Sequence, residues 1–170
     1  MNDDFDLDLE DGHAGEQVVR HFVERNWYKQ FIKYNDDSAY DILFQNNNEE
    51  PMTFEVKTDY WEQEMHQGGS GNMAIEYKCR GKKSGIRKTK AKLFAYYFPN
   101  ISDEQLWIIR VDKLRELLDE HNFKAVDGGE TYYDSDDKVT RCYLIPRFEY
   151  KPHFMRFTND GRRWLTSLES

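Results

Sequence analysis

Three charged residues in this chain sit where two short strands would bring them together: Asp41, Glu55 and Lys57. The stretch YDILFQNNNEEPMTFEVKT, from Tyr40 to Thr58, reads as a strand (Ile42, Leu43, Phe44), a polar turn (Asn46 to Pro51) and a second strand. In MTFEVKT the period of two puts Met52, Phe54 and Val56 on one face and Thr53, Glu55 and Lys57 on the other. A hairpin then lays Asp41, which opens the first strand, beside Glu55. Two carboxylates next to an ammonium make a site for a hard divalent cation, with a charged group left to hold or deprotonate a water.

Glu-x-Lys by itself says little, because it occurs three times: Glu55-Val56-Lys57, Glu76-Tyr77-Lys78 and Glu149-Tyr150-Lys151. The first copy is favoured by the upstream strand headed by Asp41 and by Glu16 on a helix before it. The second copy is the rival, with Asp59 as its aspartate. The third has no strand-borne acid suitably upstream.

The elements that must position these residues follow from the patterning. Val18, Val19, Phe22 and Val23 recur at helical spacing and predict a helix from about 12 to 25. Glu16 lies on the edge of that stripe, a position that favours the surface over a site. WYKQFIKY (27 to 34) predicts a strand, and the Tyr40–Thr58 hairpin follows. After the glycine-rich loop 67–72, MAIEYKC alternates as a further strand. Ser84 is placed to cap a short basic helix running to about Lys92. LFAYYFP and QLWIIRV read as buried strands, and Asp112 as the cap of a helix with Leu114, Leu117 and Leu118 inward. TYYDSDDKVTRCYLIP suggests a hairpin turning at 134–137, and a short helix is expected around Trp164. The order is a mixed α/β layer, not an alternating βαβ pattern.

With 170 residues, one domain (1–170) is the simplest reading. Large rings supply the core, since aromatics make up 15% and the apolar fraction is modest. No apolar run approaches the roughly 20 residues of a membrane span, so no membrane partner is expected. The acidic start lacks the basic and apolar parts of a signal peptide. Cys79 and Cys142 are the only cysteines, which argues against a disulfide framework and for a cytoplasmic setting. The five histidines share no ligand spacing, and neither GxxxxGK[ST] nor GxGxxG occurs.

The net charge of −8 looks wrong for a nucleic-acid binder until it is mapped. Residues 1 to 11 hold six acids and no base, and are expected to be a mobile segment or to cap the first helix with negative charge. Residues 78 to 92 hold eight bases and no acid, among them Lys82, Lys83, Arg87, Lys88 and Lys90. Local potential decides contact with phosphates, so such a block can meet DNA on an acidic protein. A solvated loop and helix face explains it equally well.

Glu16 on the first helix, Asp41 on the second strand and Glu55-Val56-Lys57 on the third resemble the PD-(D/E)XK nuclease superfamily. The resemblance covers about residues 12 to 110. It implies a restriction-endonuclease-like αβββαβ core, with MAIEYKC as an inserted strand and a C-terminal β-hairpin as an extension. Tyr40 stands where a proline is usually written before the aspartate. Ile75-Glu76, Ser84-Gly85-Ile86 and Thr89-Lys90-Ala91 bear a fainter likeness to a phage-type branch, which would put the protein in a host cytoplasm. There Lys92 replaces an aspartate.

By that resemblance Asp41, Glu55 and the Val56 carbonyl would ligate Mg²⁺, with Mn²⁺ as a substitute. Lys57 would orient the attacking water or stabilise the transition state, and Glu16 would be an outer or second-metal ligand. Glu76 is a candidate extra carboxylate, with an exposed strand acid as its plain alternative. Lys82, Lys83, Arg87, Lys88 and Lys90 would hold the DNA backbone, with Ser84 and Thr89 as hydroxyl donors. Tyr60 and Trp61 either stack on a base or belong to the core or a dimer contact. A homodimer is implied because many members pair to cut both strands.

The expected function is a Mg-dependent deoxyribonuclease, an endonuclease before an exonuclease. The alternative is a non-catalytic nucleic-acid-binding or phage–host interaction protein retaining the fold. A third reading has the acidic start mimicking phosphates in a partner's basic groove.

Overall fold

A computed structural model describes residues 3–35, 39–102, 104–128, 139–159 and 163–166, the first ten of these and residue 128 as backbone only. Helix α1 (Asp3–Asn26) is followed by β1 (Phe31–Tyr34), β2 (Ile42–Phe44), β3 (Met52–Thr58), β4 (Asn72–Cys79) and the two-residue β5 (Lys82–Lys83). Next come β6 (Leu93–Phe98), β7 (Gln105–Arg110), α2 (Val111–Glu120), β8 (Lys124–Gly128), β9 (Thr140–Pro146), α3 (Arg147–Tyr150), β10 (Met155–Asn159) and β11 (Trp164–Thr166).

Two sheets result. The larger runs β1-β2-β3-β6-β7-β10-β11, and the smaller β5-β4-β9-β8. Among the described residues of the larger sheet only β3 and β6 pair in parallel, with Glu55 opposite Phe94 and Lys57 opposite Tyr96. The other pairings are antiparallel. The fold is therefore mixed α/β with a mixed sheet.

The middle of the larger sheet is covered on both sides, and its sequences say so. Strands β6 and β7 carry apolar residues in unbroken runs, as two-sided burial demands. Ala95, Tyr97, Leu106 and Ile108 join Val19, Phe22 and Val23 of α1 in one cluster. Phe94, Tyr96, Phe98, Trp107 and Ile109 face the other way, onto α2 and the smaller sheet, through Leu114, Leu117, Ile75 and Ile145. The alternation of β3 follows this division: Phe54 is in the α1 cluster with Met52 and Val56 against it. Glu55 and Lys57 consequently project on the side of the smaller sheet.

Several local expectations are corrected. Helix α1 begins at Asp3, so the backbone of acids 3–11 continues it. The first strand is only Phe31–Tyr34, because the end of α1 reaches Trp27, whose N–H still bonds the Val23 carbonyl. Asp112 lies in the first turn of α2, whose cap position is Arg110; the Asp112 carboxylate accepts from Arg110 and the Lys113 N–H. Trp164 starts strand β11, because its ring packs edge-on against Phe22 of the core. Strand β9 does form a hairpin, but with β8; the expected first arm and turn, 131–138, lie outside the described residues.

The basic helix expected after Ser84 is a single 3-10 turn, Gly85–Arg87. Ser84 makes no capping bond. The chain leaves the helical path because Lys90 N–H bonds the Ala39 carbonyl, and Arg115 of α2 takes the carbonyls of Ile86 (2.9 Å) and Thr89 (2.6 Å). The inserted strand β4 does not join the main sheet; it pairs with β9 along its whole length.

Helix α1 crosses β3 at Gly15, which is buried. A Cβ there would lie 1.8 Å from Thr58 Oγ1 and 3.2 Å from Thr58 Cβ, so only hydrogen fits. Gly15→Ala should destabilise the fold by about 1–3 kcal/mol through overpacking. Thermal denaturation reads this as about 2–4 °C lost per kcal/mol. A Thr58→Ala change in the same chain should restore part of the loss.

Candidate active site

The site grows from the place where β2 begins. Asp41 N–H bonds the Phe54 carbonyl, extending the β2–β3 ladder by one residue. Its side chain then replaces the next rung: Asp41 Oδ2 accepts the Val56 N–H at 2.6 Å. That bond fixes the Asp41 carboxylate next to Glu55, across two adjacent strands.

Asp41, Glu55, Val56, Lys57 and Glu76 line one cavity of about 300 Å³, closed by Ser84, Gly85, Ile86, Lys88 and Phe94. Lys57, at the mouth, is exposed. The 3-10 turn is seated by Gly85, which has φ of 45° and whose missing Cβ would come within 2.5 Å of the Glu76 carbonyl oxygen. A glycine is required there on both counts. The close seat lets the Ser84 hydroxyl donate to Glu76 Oε1.

The acids act on one another. Burial pushes Asp41 up to about 7, helped by the charge of Glu55 and more weakly by Glu16, against the bond from Val56. Glu55 is raised as well, first by burial; Glu76 and Glu16 push it further, while the Thr89 hydroxyl and Lys88 oppose. Four part-buried carboxylates therefore share one field, and Asp41 and Glu55 lack enough positive charge to balance them. Burial also raises the Cys142 thiol, which feels Lys57 as a lowering charge and Glu76 as a raising one. Lys57 and Glu76 thus look toward the same strand, β9.

Of the residues singled out in the sequence, Asp41, Glu55, Val56, Lys57, Glu76, Ser84 and Lys88 come together. Glu16 is turned inward rather than to the surface. Its side chain is 18% exposed, pairs with His13 at 3.1 Å, and bears on both Asp41 and Glu55. Glu76 is a half-buried wall of the cavity and not an exposed strand acid.

The rival motif divides. Its Glu76 enters the cavity, but Asp59 is consumed elsewhere, accepting from Tyr96 Oη (2.6 Å) and from the N–H groups of Trp61 and Glu62. The third Glu-x-Lys falls in α3 and the 3-10 turn after it, on no strand.

Among the basic residues, Lys82, Lys83, Lys88 and Lys90 are exposed. Arg87 pairs with Asp119 at 2.6 Å. Ser84 gives its proton to Glu76, and Thr89 is buried beside Glu55 and the Ala39 carbonyl, so neither hydroxyl points to solvent. Trp61 is 93% exposed and is no part of the core.

The sequence reading missed the roles of Gly85, Thr89 and Phe94. Their one visible signal was a glycine and a threonine inside a run of lysines. It also missed the buried pair of Glu62 and Arg147 (3.4 Å), 4% and 2% exposed, which pins the loop after β3. Glu62 additionally accepts from Ser70 and from the Gly71 N–H.

Comparison with family models, with curated proteins and with solved structures gave no match. No helix among the described residues is long and apolar enough to cross a membrane.

Whether a metal suits this site is a question of donor chemistry. Among the described residues no three His, Cys, Asp or Glu side chains stand as a ready-made cage. The Asp41–Glu55 pair is nevertheless an all-oxygen donor set whose mutual repulsion a hard cation would relieve.

The raised Asp41 sets a pH dependence. Between its ordinary value near 4 and its folded value of about 7, the folded state holds a proton that the unfolded chain has lost. Stability from this group is present below about pH 4 and is lost as pH rises through 7. In EDTA, Asp41→Asn, which cannot ionise, should gain on the parent across pH 5 to 7 and level off above. Melting temperatures of both proteins at half-unit steps measure the divergence; parallel curves would remove the buried-carboxylate assignment.

Proposed function

We propose that this chain is a metal-dependent nuclease of the PD-(D/E)XK kind, hydrolysing phosphodiester bonds in DNA. The observation that carries the reading is the Asp41–Val56 bond, which holds Asp41 and Glu55 together in a cavity whose mouth carries Lys57. The order α1, β1, β2, β3, with β6 parallel beside β3, supports it as the αβββ…β part of such a core. The helix of αβββαβ before the last strand is represented here by β4, β5 and a 3-10 turn.

Asp41 and Glu55 would hold Mg²⁺ or Mn²⁺, with Val56 beside them. Bound there, the ion would lower the pKa of a water and offset charge developing on the phosphoryl oxygens. Lys57 would orient the attacking water or stabilise the extra negative charge of the transition state. Glu76, steadied by Ser84, offers a third carboxylate from the opposite wall, and Glu16 biases the pair from α1. Lys88 brings a cation to the cavity for the scissile phosphate. Lys82, Lys83 and Lys90 engage flanking phosphates, which fixes register without reading bases. The site is built for hydrolysis, whereas a binding module keeping only the basic surface would have no use for the buried pair.

The test is cleavage of plasmid, linear and single-stranded DNA. Cutting is expected with Mg²⁺, is abolished by EDTA, and falls by at least about 10²-fold in Lys57→Ala. Glu55→Ala should be as severe, and Glu76→Ala milder. Activity that survives both chelation and Lys57→Ala rejects the assigned site. DNA binding without cutting under any metal leaves the non-catalytic alternative in its place.

A further inference from the structure

A second and larger cavity, about 590 Å³, opens at the N-terminal ends of β3 and β6, where Met52 and Leu93 meet the start of α2. Its floor is apolar, made by Pro51, Met52, Ala91, Leu93 and Val111. Its rim carries Lys92, Arg110 and Arg115 against Glu50 and Asp112. Of the rim cations, Lys92 is the loosely held one. Lys92 reaches Glu50 only at 3.5 Å, with side chains 55% and 91% exposed. Arg110 is held at the surface by both oxygens of Asp112, one of them at 3.0 Å from Nε, which leaves the third guanidinium nitrogen for a ligand. The long, solvent-exposed Lys92–Glu50 pair yields readily to a competing phosphate. An apolar floor with a cationic rim, at this volume, suits a base or sugar below and a phosphate above.

Two observations join this cavity to the candidate active site. One stretch of chain walls both: Lys88 and Phe94 line the smaller cavity, and Ala91, Lys92 and Leu93 the larger. Lys88, Lys90 and Lys92 are all exposed along it, and the four steps of chain from the first to the last span at most about 14 Å. The other link is Arg115. It lines the larger cavity while its guanidinium holds the carbonyls of Ile86 and Thr89, which flank Lys88 of the smaller one. An occupant resting on Arg115 would steady the segment that closes the active site.

We infer that this cavity takes one nucleotide of the strand being cut, a few positions from the scissile bond, with its phosphate at Lys92 and Arg110 and its base or sugar on the Met52–Leu93 floor. The inference rests on the nuclease reading. It also narrows the substrate: a nucleotide lodged in a cavity is unpaired, so single-stranded or frayed DNA is preferred over intact duplex.

The experiment titrates isotope-labelled full chain with a nucleoside 5′-monophosphate, and separately with inorganic phosphate, following amide resonances. Shifts are expected at Leu93 and Val111 with the nucleotide. Arg110→Ala removes a rim cation with no buried contact, and Met52→Trp fills the floor. Both should weaken nucleotide binding about tenfold, and in single-strand cleavage raise KM about tenfold with kcat little changed. Equal binding of inorganic phosphate and nucleotide overturns the inference, as does cutting by both variants with unaltered KM, and in either case the nuclease reading stands. Nucleotide shifts at Leu93 and Val111 with no cutting by the parent protein remove the nuclease reading and keep the cavity as a nucleotide site.

Discussion

One hydrogen bond organises the candidate site: the Asp41 carboxylate accepting the Val56 N–H. Strand β2 begins at Ile42, and a backbone partner for Val56 on that side is missing because the chain before it lies away, with Ala39 bonded to Lys90. A buried N–H without a partner is costly, so the ladder is completed by a side chain. The same bond commits one oxygen of Asp41 to the fold and holds the carboxylate against Glu55. Structure and chemistry are thus joined at one residue. The stabilising bond and the destabilising charge repulsion oppose each other in the ionisation of Asp41, and repulsion with burial prevails.

Close approaches of backbone around that point do the rest. Gly15 lets α1 lie on Thr58, which brings Glu16 within electrostatic reach of Asp41 and Glu55. Gly85 lets the 3-10 turn lie on the Glu76 carbonyl, which brings Ser84 to the Glu76 carboxylate and Lys88 to the cavity. Both glycines trade local backbone freedom for proximity between elements that are far apart in sequence. The buried Glu62–Arg147 pair serves a related purpose further out, tying the loop after β3 to the start of α3. Removing one partner would strand a charge in the interior, a loss of about 3–5 kcal/mol.

The two sheets share work unequally. The larger one carries Asp41, Glu55 and Lys57, while the smaller supplies Glu76 and, through the turn that follows it, the lid of basic residues. Tyr96 couples the sheets, accepting the Ala74 N–H and donating to Asp59. The inserted strand β4 is therefore a wall of the site and not an ornament on the core.

Strand periodicity alone determined the hairpin of β2 and β3 and the facing of Glu55 and Lys57, because alternation is a property of the backbone. Unbroken apolar runs determined the two-sided burial of β6 and β7, helical spacing the inward leucines of α2, and charge the exposure of Lys82, Lys83, Lys88 and Lys90. Tertiary structure decided everything that depends on which distant segment arrives. Glu16, read from its own helix as a surface acid, faces the site because of a contact at Gly15. Glu76 leaves its own motif for another, since Tyr96 has claimed Asp59. Residues 84–92 have the composition of a basic helix, yet Ala39 and Arg115 bid for their backbone groups and win. Local propensity amounts to a few tenths of a kcal/mol per residue, and a handful of long-range hydrogen bonds outweighs it.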